Sequence, residues 1–164
     1  MKPPVNYVVM GVSGCGKSTV GAAFAQAVGG RFVDGDDLHP PENVAKMSAG
    51  VPLTDADRWP WLTLVGATLT GDVVVGCSAL KRAYRDRIRA RVGDVAGPVR
   101  FLHLVGSREV IAARMAARPG HFMPLGLLDS QFAALEPLAD DEDGVTVNID
   151  QPFAAVIAEL LAYD

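Results

Sequence analysis

Gly11-Val12-Ser13-Gly14-Cys15-Gly16-Lys17-Ser18 fits the spacing G-x-x-x-x-G-K-[ST] at every fixed position, and nothing else in the 164 residues constrains the fold so tightly. That spacing has a physical meaning in one setting, where a buried strand runs into it and a helix leaves it. Both flanks comply. Tyr7-Val8-Val9-Met10 is a short apolar run suited to a strand covered by helices on both faces, and Lys17 to about Ala27 predicts a helix stopped by Gly29-Gly30. Glycines let the backbone curl until several N–H groups point at one anion, and the helix adds the positive end of its dipole. Lys17 then reaches the β- and γ-phosphates of ATP, and the Ser18 hydroxyl serves Mg²⁺. The expected cofactors are therefore ATP and Mg²⁺. The loop by itself serves kinases, ATPases, GTPases and nucleotide sensors alike.

The rest of the chain alternates in kind. Strands are expected at Arg31–Asp34, Val73–Cys77, Val99–Val105 and Val145–Ile149. Helices are expected from near Glu42, from a Thr54 cap through Trp61 to about Leu69, over Arg82–Val92 and Arg108–Arg118, and from Phe153 to Leu161. This order predicts an α/β fold of three layers, a five-stranded parallel sheet between helices, with ligands at the carboxyl ends of the strands. With 49% hydrophobic against 21% charged residues, the whole span 1–164 is expected to form one domain. A formal net charge of −4 offers no general attraction to nucleic acid or to anionic membranes, so bound anions need local donors. No apolar run reaches membrane-spanning length, and Met1-Lys2-Pro3-Pro4 opens no signal-peptide pattern, which leads to the expectation of a cytoplasmic protein. Cys15 and Cys77 are expected to be reduced thiols.

Asp34-Gly35-Asp36-Asp37-Leu38-His39 gathers three carboxylates and an imidazole where the second strand ends. Acids beside a triphosphate suit two tasks, holding hydrated Mg²⁺ and accepting or orienting the proton of an attacking hydroxyl. Asp34 is assigned to the metal and Asp36 to the acceptor. The alternative is a solvated acidic turn in which Gly35 supplies dihedral freedom and His39 caps the next helix.

These residues resemble the gluconokinase family, small sugar-acid kinases related to shikimate kinase and the nucleoside monophosphate kinases. The resemblance spans Gly11 to Thr19, Asp34 to Pro40, Lys46-Met47 and Gly50-Val51-Pro52-Leu53. It continues through Asp55 to Leu62, Cys77-Ser78-Ala79-Leu80-Lys81, Tyr84-Arg85-Asp86, Arg118 to Met123 and Ser130-Gln131-Phe132. It implies phosphoryl transfer from ATP to the 6-hydroxyl of gluconate, with the nucleotide loop extending from Gly11 through Thr19. A homodimer becomes a candidate assembly. Cys15 departs from the serine common in the family, and the acidic run Asp140-Asp141-Glu142-Asp143 carries little family signal.

A polyhydroxy carboxylate needs a cation for its carboxylate, and Arg58, Lys81 and Arg85 are the candidates. Lys81 and Arg85 lie four apart on one expected helix face, and the resemblance favours both as ligands. Arg87, Arg89 and Arg91 are assigned to a solvated basic surface. Arg114 and Arg118 lead into a lid at about 118–130, where they would close on the nucleotide and Arg118 would stabilise transferred charge. Arg118 also suits the negative end of a helix dipole. By resemblance, His39, His121 and Gln131 join Asp36 as contacts for substrate hydroxyls. Trp59 and Trp61 read as core anchors. Ile149-Asp150-Gln151-Pro152 resembles an adenine-side loop. A sensor that binds ATP without an acceptor is the alternative from a different class.

Overall fold

Five consecutive buried residues, Asn6–Met10, form the first strand, β1, and everything else is arranged around it. The computed structural model describes residues 4–92, 97–117 and 125–164. The helix α1 (Lys17–Val28) follows β1, then β2 (Arg31–Asp34), a single 3₁₀ turn at Gly35–Leu38, α2 (Pro41–Ser48) and α3 (Asp55–Thr68). Next come β3 (Val73–Gly76), α4 (Arg82–Val92), β4 (Val99–Val105) and α5 (Arg108–Ala117). The described chain ends with α6 (Leu125–Ala134), β5 (Gly144–Asn148) and α7 (Phe153–Tyr163).

The five strands form a parallel sheet in the order β2-β3-β1-β4-β5. Val8 of β1 pairs with Val75 on one side and Phe101 on the other, which fixes β1 at the centre. Successive side chains of a strand point to opposite faces, so β1 feeds two cores. Tyr7 and Val9 pack with Phe24, Ile111, Leu128 and Leu160 from α1, α5, α6 and α7. Val8 and Met10 pack with Trp61, Leu62, Val65 and Ile88 from α3 and α4. The expected three-layer α/β architecture is thus the observed one.

Local chemistry accounts for the helix ends near the cleft. Thr54 accepts from the Asp57 N–H while the Asp57 carboxylate accepts from the Thr54 N–H, a reciprocal capping box at the start of α3. Pro41 stands at the first position of α2, where its missing N–H costs nothing. Gly35 has a different task from the dihedral freedom the sequence suggested. It is buried, and a Cβ there would lie 2.4 Å from the Gly76 carbonyl, so its value is close approach of the acidic turn to β3. The indole N–H of Trp61 donates to the Gly35 carbonyl at 2.8 Å and ties α3 to the same turn.

Candidate active site

The loop after β1 closes on the N-terminus of α1 through Gly16, whose φ of 94° is a left-handed value that glycine alone adopts cheaply. No side chain caps that terminus and no acid occupies its first turn, so its N–H groups and positive dipole end are left for an anion. Lys17 curls back over the loop, donating from Nζ to the Gly11 and Val12 carbonyls at 3.0 and 3.1 Å. Ser18 and Thr19 are exposed at the helix start. Cys15 is buried beneath the loop. Burial pushes its thiol up against the charge of Lys17, and burial holds the Cys77 thiol at about 12, so both stay protonated.

Beside the loop a cavity of about 380 Å³ is lined by Gly14, Cys15, Gly16 and Thr19, and on its far wall by Ile149, Gln151 and Phe153. Arg114 joins this wall and donates to the Ile149 carbonyl at 2.7 Å. The loop residues, Arg114 and the Ile149–Gln151 segment therefore share one space.

At the tip of β2, Asp34 accepts the Asp36 N–H at 3.0 Å and so caps the 3₁₀ turn. Asp36 stands exposed at the rim of protein mass that strips part of its hydration. That loss, followed by the neighbouring Asp34 charge, raises its carboxyl above the ordinary value despite Lys17 and His39. His39 stacks on Trp61 with ring centroids 4.1 Å apart, and its Nδ1 lies 3.2 Å from the Asn43 amide nitrogen. Desolvation lowers the His39 pKa, with Asp36 opposing and Arg58 assisting, which favours the neutral ring. Asn43 is itself buried and donates to the Asp57 carbonyl at 3.0 Å.

A third group sits between α3 and α4. Asp55 accepts from the Tyr84 hydroxyl at 2.5 Å, and lies 3.8 Å from Arg58 and 3.7 Å from Lys81. Both cations also flank the Tyr84 ring at 5.6 Å. The Tyr84 hydrogen bond, ahead of the charges of Lys81 and Arg58, keeps Asp55 below the ordinary carboxylate range despite some desolvation. Arg58 is fixed by one donation to the Leu53 carbonyl at 2.8 Å. Its side chain is 32% exposed and that of Lys81 35%, so each keeps donors for a ligand. Sequence reasoning missed Tyr84 and Asp55; the three-residue step from Lys81 to Tyr84 was the signal for the first.

Arg85 departs from its expected place. It is fully buried, and its five N–H donors are all engaged. Nε and Nη2 form a fork on Glu142 at 2.8 and 3.0 Å, Nη1 donates to the Ala79 and Leu80 carbonyls at 2.9 and 3.3 Å, and Nη2 also donates to Pro137 at 3.3 Å. A guanidinium so satisfied has nothing left for substrate, and the helix has turned it from the cleft into the core. Its neighbours on α4 follow suit. Arg82 forks onto Asp141 at 2.8 and 2.9 Å, and Arg89 bonds Glu142 and lies 4.5 Å over the Phe101 ring. Arg89 is thus part of an ion-pair network, and not the solvated surface expected of it. Asp141 and Glu142, from the acidic run that carried little signal, are the counter-charge of α4, while Asp143 pairs with Arg100 of β4.

Gln131 of α6 reaches the phosphate loop. Its amide oxygen accepts the Ser13 N–H at 2.7 Å and its amide nitrogen donates to the Ser13 hydroxyl at 3.0 Å. The expected lid at 118–130 includes α6 from Leu125 onward, while Arg118 and His121 lie outside the described residues.

Comparison with known proteins narrows what this arrangement does. A sequence profile of the family described as shikimate kinase matches residues 13–127. The gluconokinase of Gluconobacter oxydans is 48% identical over 98% of this chain and 91% of its own length. The thermosensitive gluconokinase of Escherichia coli is 46% identical over 92% of this chain and 82% of its own length. The crystal structure of a gluconokinase from Sinorhizobium meliloti superimposes with a TM-score of 0.88 at 51% identity, covering 98% of this chain and 91% of that one.

Proposed function

The chain belongs to the gluconokinase family, and we propose that it transfers the γ-phosphate of ATP to the 6-hydroxyl of D-gluconate. The observation that carries the reading is the placement of two under-occupied cations, Arg58 and Lys81, on the elements next to the acidic turn and the phosphate loop. A phosphate loop alone suits any nucleotide enzyme. The added pair of cations suits an acceptor that carries its own negative charge.

In this reading the nucleotide base enters the cavity walled by Arg114, Ile149 and Gln151, and the phosphates lie over Gly11 to Thr19. Lys17 exchanges its two loop carbonyls for phosphate oxygens. Arg58 and Lys81 hold the gluconate carboxylate while His39 and Asp36 meet hydroxyls. Asp36 orients the attacking oxygen and receives its proton, a task suited to an exposed carboxyl whose pKa is raised by desolvation and by the neighbouring Asp34 charge. Gln131 positions Ser13 and lies close enough to the loop to touch substrate after closure. Arg118 and His121 complete the proposed set from the lid.

Mg²⁺ fits the donors at hand. Ser18 stands exposed at the start of α1 and Asp34 at the tip of β2, oxygen donors of the kind that supply one or two of the ion's ligands before phosphates and water complete its shell. Ser18 and Asp34 would hold it, and when bound it offsets charge on the transferring group. Gluconate and ATP are then the partners, the cytoplasm the proposed location, and a homodimer the assembly to test by light scattering.

A coupled ADP-release assay with Mg²⁺ATP across gluconate, its stereoisomers, shikimate and a no-acceptor blank tests the proposal. Strong stimulation by gluconate with 6-phosphogluconate as product is the expected result. Stimulation by a different acid alone would overturn the substrate, and none at all, with ATP bound, would favour a sensor.

A further inference from the structure

The segment between β3 and α4 runs past both halves of the cleft. At one end the Ser78 carbonyl accepts the Gly11 N–H of the phosphate loop at 3.2 Å. At the other end stands Lys81, facing Asp55. Between them Ala79 has a φ of 45°, a left-handed conformation that costs a non-glycine residue about 1 kcal/mol and persists only where surroundings enforce it. Those surroundings are Arg85 and what Arg85 holds. Its Nη1 takes the carbonyls of Ala79 and Leu80, and the Leu80 carbonyl also accepts the Glu136 N–H at 2.7 Å. Glu142 in turn fixes the guanidinium plane with a two-pronged contact and accepts the Ala139 N–H at 2.8 Å.

We infer that the buried Arg85–Glu142 pair is a positioning device for the substrate side of the cleft, holding the strained Ala79-Leu80 backbone so that Lys81 projects at the acceptor carboxylate. The inference rests on the proposed ligand role of Lys81. Burial of a charge pair this deep is a poor route to stability by itself, since well-packed apolar residues often do as well. What an apolar replacement cannot supply is three donors aimed at fixed carbonyls with a carboxylate holding the other two. Lysine keeps the charge but loses the planar fork, and glutamine keeps the shape of Glu142 but loses its charge.

The test compares steady-state parameters of the parent with Arg85→Lys, Glu142→Gln and Lys81→Ala, with unfolding midpoints measured alongside. The expected result is a gluconate KM raised roughly tenfold to a hundredfold in Arg85→Lys and in Glu142→Gln, while the ATP KM stays within about twofold of the parent. Glu142→Gln, the milder change, carries the test if Arg85→Lys does not fold. A lowered midpoint with an unchanged gluconate KM per folded molecule, or an equal rise in both KM values, overturns the inference. A raised gluconate KM in Lys81→Ala beside parent values in the other two strikes the positioning role alone. A parent KM in Lys81→Ala strikes the ligand role of Lys81, and the inference with it.

Discussion

Two clusters of charge flank α4 and differ in one respect. In the outer cluster Arg58 and Lys81 share a single carboxylate, Asp55, at 3.7 to 3.8 Å, and about a third of each side chain meets solvent. In the inner cluster Arg85 and Glu142 meet at 2.8 Å with no exposure, and every guanidinium donor is filled. Cations with donors to spare can bind an incoming anion. Cations with none hold backbone. The acidic side of the cleft divides in the same way, with Asp34 capping a turn and Asp36 exposed with a raised pKa.

If that division is sound, the largest effect belongs to the exposed carboxyl. Asp36→Asn should lower kcat by about 10²–10⁴-fold with little change in ATP affinity, as measured by acceptor-dependent ADP release and nucleotide titration. Because its pKa is raised, the acid limb of the parent pH profile should lie above the ordinary carboxylate value and should be absent in the variant. Arg85→Ala should cost about 3 kcal/mol of folding stability by denaturant titration, since it leaves the buried Glu142 with Arg89 as its close cation and strips donors from the Ala79, Leu80 and Pro137 carbonyls. Lys81→Ala should keep the parent's unfolding midpoint and raise the gluconate KM roughly tenfold or more.

The pH dependence of stability sharpens the inner cluster. Burial pushes the Glu142 carboxyl up, but hydrogen bonds from Arg85, the Ala139 N–H and Arg89 outweigh it and hold the group at about 2, below its ordinary 4.5. A depressed carboxyl adds stability that is complete above the ordinary value and lost as pH falls through the folded one. The stability gap between parent and Glu142→Gln should therefore shrink as pH drops from 4.5 toward 2. The smallest effect is expected at the rim, where Arg82→Ala removes an exposed fork on Asp141 and should leave the thermal midpoint close to the parent's.

Much of the fold was legible because its signals are local. A strand of apolar residues, a glycine-rich turn and a capped helix each announce themselves within a few positions, as Tyr7–Met10, Gly16 and Thr54 do. The helix α6 was missed, since Leu125 to Ala134 opens with Leu-Gly-Leu-Leu, a run without helical apolar spacing. Placement in the site was legible where it depends on a residue's own loop, as for Lys17 at the start of α1. It failed at Arg85, because Lys81, just before α4, and Arg85, near its start, carry the same charge four positions apart and differ in the partner each meets. That partner, Glu142, stands 57 positions away in an acidic run with no pattern of its own. Gly35 failed for the same reason, as the backbone that forbids a Cβ belongs to another strand.

The most direct test of the outer cluster as a carboxylate site compares gluconate with glucitol, the same chain of hydroxyls without the carboxylate, in the parent and in Lys81→Ala. We predict that the parent prefers gluconate in kcat/KM by about a hundredfold or more and that Lys81→Ala loses most of that preference, a coupling between side chain and carboxylate. A variant that discriminates as well as the parent would contradict the account.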